Sequence, residues 1–182
     1  MSALAESVRA ALGERVLAVT AGFGPVTVDV TPDAWLEALT AARDAGATYA
    51  DFLSGYDDGD AGIAVLAHLA GPDASDHLLL RTRVAREGGR LPSASGLMRG
   101  LAWHERETAE MLGVAFDGGD PRRLLLPPAV EGHPLRKEFA LTERVRRPWP
   151  GAVEPAEAAG GRPRRRQLPP GVLESWLPRD PS

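Results

Sequence analysis

The hydrophobic positions in the first half of the chain recur with two periods, one typical of helices and one typical of strands. A spacing of three to four residues predicts a short helix between Ser2 and Gly13 and a clearer helix between Thr31 and Gly46. Between these helices, valines alternate with polar or small residues from Val16 to Val30. This alternation predicts two strands joined as a hairpin across residues 21–25.

Three further strands are predicted at about residues 48–54, 63–70 and 77–84. The middle one is apolar on both faces, which favours a central position in a sheet, and the third places its two arginines on one face. A last helix is predicted over residues 103–112, before Gly113. The resulting order is α-β-β-α-β-β-β. It predicts an α+β fold, a two-layer sandwich in which helices cover one face of a mixed, mostly antiparallel five-stranded sheet.

The pattern loses its regularity from Asp117 onward. Repeated prolines exclude a helix or an inner strand there, yet several large apolar residues favour burial. Such a segment is expected to lie along a surface, either its own or that of a partner. The sequence therefore predicts an α+β domain over residues 1–116, an irregular partner-docking strap over 117–147, and a flexible tail rich in Pro, Gly and Arg over 148–182.

Composition and charge narrow the possible functions. The absence of cysteine excludes disulfides, thiolate metal sites and cysteine nucleophiles. The charged residues near the N-terminus argue against a secretory signal or a membrane span. Residues 1–121 hold 9 Lys and Arg against 18 Asp and Glu, a net charge of −9, whereas residues 122–182 hold 12 against 7, a net of +5. This asymmetry suggests that the basic segment contacts an acidic neighbour, although simple solvation explains it equally well.

Candidate chemistry along the chain is sparse. His104 and His133 could contribute to a metal-dependent hydrolase, but the second histidine of an HExxH motif is replaced by threonine. The simpler interpretation is a surface helix in which Arg106 and Glu110, four residues apart, form an ion pair. No phosphate-binding loop or nucleophile elbow occurs, and a nucleic-acid site at residues 162–166 would lack interleaved aromatic residues. An assembly role is the interpretation that remains.

Three ordered blocks carry a resemblance to a known family. They are ERETAEMLGVAFDGG at residues 105–119, RRLLLP at 122–127 and EGHPLRKEFAL at 131–141. They resemble the C subunit, the 30 kDa-type subunit, of the proton-pumping NADH-quinone oxidoreductase, respiratory complex I. Glu110 and Glu138 stand where the family has aspartate, and Gly119 stands where it has histidine. These departures, together with the long tail, indicate a divergent, actinobacterial-type paralogue.

The resemblance implies a noncatalytic assembly subunit on the cytoplasmic face of the cell membrane. It would dock onto the quinone-site D subunit, beside the B and I subunits, and hold no cofactor itself, while flavin and iron–sulfur clusters would belong to partner subunits. An equivalent subunit of a related membrane-bound hydrogenase or other dehydrogenase complex is the alternative. The basic residues of the interface would donate to partner carboxylates, and its two large apolar residues would enter apolar pockets. The implied interface residues are Glu105, Arg106, Glu107, Arg122, Arg123, Glu131, Gly132, His133, Pro134, Leu135, Arg136, Lys137 and Phe139.

Overall fold

The computed structural model describes residues 2–72 and 76–140, and its centre is a five-stranded sheet. The strands in chain order are β1 (Val16–Thr20), β2 (Val26–Val30), β3 (Tyr49–Asp57), β4 (Ile63–Ala70) and β5 (His77–Val84). In space their order is β1-β2-β5-β4-β3, and only the β2–β5 pair is parallel. The predicted mixed, mostly antiparallel sheet is therefore confirmed, including the initial hairpin.

Three α-helices pack on the sheet: α1 (Ala3–Leu12), α2 (Trp35–Asp44) and α3 (Leu101–Leu112). The Ser2 hydroxyl accepts the backbone N–H of Ala5 at 3.2 Å, so Ser2 caps the predicted first helix. Thr31 is not a side-chain cap, because a short 3₁₀ turn at Pro32–Ala34 lies between it and α2.

The core lies between the helices and one face of the sheet. Val28, Leu80 and the large Trp35 of α2 are fully buried there. On the opposite face, Arg81 donates from Nε and Nη2 to the two carboxylate oxygens of Asp29 at 2.6 and 2.8 Å. The arginine is thus on the side away from the core, as the strand periodicity predicts. No α-helix in the described residues is long and apolar enough to cross a membrane.

The structure corrects several predicted boundaries. β3 continues three residues past the predicted end, because β4 pairs with it as far as Asp57 although the following residues have turn-like composition. α3 begins two residues earlier than predicted. Two three-residue strands, β6 (Arg90–Pro92) and β7 (Ala115–Asp117), form a parallel pair. They were not predicted, because three residues are too few to show a period.

The last helix positions the strap, residues 117–147, of which residues 117–140 are described. α3 packs closely under β3, since a Cβ at Gly55 would lie only 2.7 Å from Cδ1 of Leu112. The strap then returns along α3 and reaches the end of β3, where the Lys137 N–H donates to Asp57 at 2.8 Å. The predicted domain boundaries stay predictions, and the tail at 148–182, with its arginine run, lies outside the described residues.

Candidate partner interface

A buried carboxylate of α3 holds the first part of the strap. Glu110 accepts the backbone N–H groups of three consecutive residues, Leu124 at 3.3 Å, Leu125 at 2.7 Å and Leu126 at 2.9 Å. An irregular segment has no ladder to satisfy its N–H groups, so a buried carboxylate is an effective replacement. Glu110 therefore fixes the path of the leucine-rich block over the helix.

The environment of Glu110 favours its ionised form. Burial alone would raise the pKa of its carboxyl, but the N–H donors of Leu125, Leu126 and Leu124, aided by the nearby Arg123, hold the pKa below its ordinary value. The contacts that hold the strap are therefore made by a carboxylate that is charged at neutral pH.

The second part of the strap caps the C-terminus of α3. The final four carbonyls of a helix lack partners inside the helix. Here the Gly113 N–H donates to the Ala109 carbonyl at 2.9 Å, and three groups of the EGHPLRK block donate to the other three carbonyls. His133 Nδ1–H donates to the backbone carbonyl of Glu110 at 2.9 Å and the Leu135 N–H to that of Met111 at 3.1 Å. Arg136 Nε–H donates to the carbonyl of Leu112 at 2.9 Å. The motif is therefore a helix cap supplied by a distant segment.

Two glycines make this cap possible. Gly113 has a φ of 77°, and a Cβ there would lie 2.6 Å from both Arg136 Nη2 and His133 Nε2. Gly132 has a φ of 82°, a left-handed backbone turn that residues other than glycine rarely adopt. A Cβ at Gly132 would lie 3.2 Å from the ring of Phe139, so this ring packs on the strap itself. The predicted insertion of Phe139 into a partner is therefore not supported by its position.

The Arg136 side chain forms its hydrogen bonds within its own chain. Its side chain is only 10% exposed, and beyond the helix cap it donates to the Arg86 carbonyl at 2.7 Å and to Glu87 at 2.6 Å. All three guanidinium nitrogens of Arg136 therefore bind groups of its own chain and position the strap. That Arg136 donates to a partner's carboxylates stays a prediction, which these internal contacts do not favour.

A second carboxylate anchors the end of the strap. Asp57 accepts from both Nη atoms of Arg86, from the Gly59 N–H at 2.9 Å and from the Lys137 N–H at 2.8 Å. The ion pair with Arg86 is the main cause that holds the pKa of Asp57 far below its ordinary value. Arg86 also contacts Glu138 at 2.6 Å. Sequence reasoning missed this anchor, because Asp57 lies in a turn-like run and its partners are distant in sequence.

The predicted pair between Arg106 and Glu110 is wrong. Arg106 instead donates from Nε to the Arg122 carbonyl at 2.8 Å and from Nη2 to the Arg123 carbonyl at 2.6 Å. Arg123 in turn donates to the carbonyls of Pro127 and Val130 at 3.0 and 2.9 Å. Arg106 and Glu110 thus both form hydrogen bonds to the irregular backbone of the strap. These bonds are worth more than a surface ion pair between them, which would contribute a few tenths of a kcal/mol.

Glu105 holds the segment that leads into α3. It is 2% exposed and accepts from the Ser93 hydroxyl and the Ala94 N–H, both at 2.6 Å. Burial raises the pKa of its carboxyl, and the hydrogen bonds from Ser93, Ala94 and Ser95 offset this only in part. Glu105 is therefore an internal residue, and the prediction that it contacts a partner is not supported by its burial.

Glu105→Gln should be tolerated, because a glutamine can accept from Ala94 and donate to the Ser93 hydroxyl. A raised pKa means that the carboxyl stabilises the fold below its ordinary pKa of 4.5 and loses that contribution as pH rises through the raised value. We therefore expect the free energy of unfolding of Glu105→Gln to increase relative to that of the wild type as pH rises above about 4.5. Urea unfolding at a series of pH values measures this. A constant difference between the two proteins would contradict the assignment.

The remaining predicted residues face outward beside the anchored backbone. Arg122 has a side chain that is 79% exposed, and among the described residues its one ion-pair partner is Asp120, at 2.6 Å. Leu135 is exposed although its N–H is bound to α3. Trp103, which was not predicted, is exposed one turn before Arg106, whose guanidinium lies 5.4 Å from its ring centroid. The outward-facing set is Trp103, Glu107, Arg122, Leu125, Glu131, Leu135 and Lys137.

A metal centre finds no support in the described part of the chain. Within residues 2–72 and 76–140, no group of three or more His, Asp or Glu side chains is placed to hold a metal ion. His133 uses Nδ1 on the Glu110 carbonyl, so it serves as part of the helix cap. The alternative of a metal-dependent hydrolase using His104 and His133 therefore has no assembled site here.

The sheet, the helices on one face and the strap on α3 define a small α+β domain with a helix-anchored C-terminal segment. The family model described as respiratory-chain NADH dehydrogenase, 30 Kd subunit, matches residues 28–145. The C subunit of NADH-quinone oxidoreductase from Agrobacterium fabrum is 33% identical over 145 residues, 76% of this chain and 72% of that protein. The chain belongs to this 30 kDa subunit family of respiratory-chain NADH dehydrogenases.

Other comparisons agree. The C/D subunit of NADH-quinone oxidoreductase from Photorhabdus laumondii is 40% identical over 80 residues, 43% of this chain and 13% of that protein. Among solved structures, a chain of the membrane-bound sulfane sulfur reductase, an archaeal respiratory membrane complex, shares the fold with a TM-score of 0.61, 17% identity, and coverage of 75% and 83% of the two chains. The trypsin-resistant fragment of Nqo5 has the same fold with a TM-score of 0.51 and 22% identity. The match covers 56% of this chain and 86% of that fragment.

Proposed function

We propose that this chain is a noncatalytic assembly subunit in the peripheral arm of an NADH-quinone oxidoreductase. It supports electron transfer from NADH to quinone, coupled to proton translocation, by docking onto the quinone-site D subunit. Family membership supports the complex, and relatives named as a C/D subunit support association with the D subunit, because one polypeptide carries both names. The B and I subunits are the further neighbours that we propose, at the cytoplasmic face of the membrane.

The observation that carries this proposal is that some side chains of the strap bind α3 while others are exposed. Its inward side chains, His133 and Arg136, and the helix residue Glu110 bind the strap to α3. Its outward side chains and the exposed Trp103 of α3 leave a surface of apolar, aromatic and charged groups, including Leu135 and Arg122. Because the backbone of the strap is already ordered, the strap loses little conformational entropy when a partner binds this surface. Aromatic residues and arginine are also enriched where partner subunits bind.

Docking at this surface predicts that Trp103→Ala and Leu135→Ser weaken association with a homologue of the D subunit by about 2 kcal/mol or more each. Both side chains are exposed, and the Leu135 N–H that binds α3 is kept in the variant. Pull-down titration with the D homologue measures the affinity. We expect the thermal unfolding of the isolated variants to match the wild type.

Tyr49→Ala is the matched control, because Tyr49 is a large exposed aromatic residue at the start of β3, away from the strap. It should bind the D homologue as the wild type does. Equal affinity of all three variants would place the interface elsewhere, and failure of the wild type to retain any D homologue would reject the proposed function itself.

An equivalent subunit in a related complex is the second candidate. The fold shared with the sulfane sulfur reductase chain favours it, since the same architecture serves another respiratory membrane complex. We propose that no flavin or iron–sulfur cluster is held by this chain in either case, and that both belong to partner subunits. Identification of the subunits that co-purify with the chain, and assay of that complex for NADH-quinone activity, distinguishes the two candidates.

A further inference from the structure

The main sheet has two edge strands, β3 and β1, and they differ in charge. β3 carries Asp51 and Asp57, and α3 packs on the face of this strand at Gly55. At the other edge, β2 is the only strand of the described residues that pairs with β1, and residues 17–20 are all exposed. Within residues 2–72 and 76–140, the backbone N–H and C=O groups on the outer side of β1 thus have no neighbouring strand.

The exposed edge lacks the features that usually prevent strand pairing. Natural edge strands are protected by charged side chains, prolines or covering elements. Residues 16–28 contain no charged residue, although charged residues make up 25% of the chain. Leu17 is 64% exposed, Val19 is also exposed, and Phe23 at the tip of the hairpin is fully exposed. Such a patch is typical of an interaction site.

The geometry of β1 suits an added strand. A bulge lies between Val16 and Ala18, and beyond it three consecutive residues keep regular register, Ala18 with Asp29, Val19 with Val28 and Thr20 with Thr27. A regular extended edge binds another extended chain through backbone hydrogen bonds, while side-chain contacts set the preference. The uncharged flank favours apolar side chains in the added strand.

A second copy of this chain fits the edge poorly. In a two-fold antiparallel pairing centred on Ala18, Phe23 of one copy would lie opposite Gly13 of the other, next to the charged Glu14 and Arg15. The buried area would also be small, because each copy offers three apolar side chains of at most roughly 150–250 Å², and Leu17 and Val19 are already partly buried. Two copies would therefore bury little more than about 1,000 Å². Stable interfaces usually bury about 1,200 Å² or more.

We propose that the outer edge of β1 pairs with an extended, uncharged and apolar segment of a different subunit, which adds a sixth strand to the sheet. The proposal rests on the proposed role as an assembly subunit. β1 and β3 are separated by four strand spacings, roughly 19 Å. This surface is thus distinct from the strap, and the chain contacts one neighbour through β1 and another through the strap on α3.

Hydrogen exchange of the full-length chain, alone and within the purified complex, tests the pairing. We expect the amides of residues 16–20 to exchange at least tenfold more slowly in the complex. Residues 131–139 of the strap report on the proposed function separately. Protection of the strap without protection of β1 would overturn the sixth strand and leave docking onto the D homologue intact. Protection of β1 alone would support the sixth strand and contradict docking through the strap.

Leu17→Lys places a protective charge on the edge and should lower incorporation into the complex at least tenfold in competition with the wild type. Tyr49→Lys is the control, since it adds the same charge to an exposed position of β3. Both isolated variants should unfold at the wild-type temperature. Equal incorporation of the two variants would overturn the proposal. So would a homodimer of the isolated chain that Leu17→Lys abolishes, or loss of incorporation without slowed amide exchange.

Discussion

Glu110→Gln should release the leucine-rich part of the strap and lower the free energy of unfolding by about 2–3 kcal/mol. The two carboxylate oxygens accept three backbone N–H groups, two at Oε2 and one at Oε1. A glutamine offers only one oxygen, so its NH2 group must face at least one N–H. Urea unfolding measures the loss, and hydrogen exchange of residues 122–127 shows whether the strap is released.

Glu107→Gln is the matched control, because Glu107 is exposed on the same helix, and it should change stability by no more than about 0.5 kcal/mol. The pH dependence adds a second test. A lowered pKa means that Glu110 stabilises the fold above its ordinary value of 4.5 and loses this contribution as pH falls through the lowered one. The deficit of Glu110→Gln should therefore shrink in acid. Equal behaviour of the two variants at neutral pH would refute the anchor.

Arg136→Met should destabilise the isolated chain by about 2–3 kcal/mol, since it leaves two partly buried carbonyls, those of Leu112 and Arg86, without this donor. The exposed Glu87 adds little, because surface ion pairs contribute at most about 1 kcal/mol. Thermal and urea unfolding measure the effect. Arg136→Lys should be intermediate, because a single ammonium group cannot reach both carbonyls as the planar guanidinium does.

Arg122→Met is the contrasting variant. Arg122 is exposed and paired only with Asp120, so we expect nearly unchanged stability but weaker association with the D homologue. Arg136→Met should lower association only as a consequence of a loosened strap. If Arg136→Met left stability unchanged and affected association alone, the guanidinium would belong to the partner's site and not to the helix cap.

The strap shows where sequence reasoning reached its limit. The prolines and the apolar residues correctly indicated an ordered, irregular segment lying on a surface. Whether that surface belongs to the chain or to a partner depends on what the charged residues contact. Arg122 and Arg136 look alike in sequence, yet one is 79% exposed and the other 10%. Only the position of the α3 C-terminus decides this, because its unpaired carbonyls attract the donors nearest to them.

The anchors were not predictable for a related reason. Asp57 and Arg86 are 29 residues apart, and both lie near turns whose composition indicates only a loop. Glu110 has an arginine four residues before it, which favours a local pair. In the structure, three N–H groups of the strap are the partners of the Glu110 carboxylate, and the Arg106 guanidinium donates to the Arg122 and Arg123 carbonyls. Local spacing therefore suggested a contact that the tertiary fold replaced.

The sequence by itself determined the order of helices and strands, the mixed sheet and the family, because hydrophobic period and motif blocks are local properties of the chain. The tertiary structure decided which charged residues serve the chain's own backbone and which remain for a partner. It also decided that the uncharged strand β1 lies at an edge of the sheet, whereas the apolar β4 lies inside it. These outcomes depend on how distant segments meet, since unpaired backbone groups take whichever donors and acceptors the fold brings within hydrogen-bonding distance.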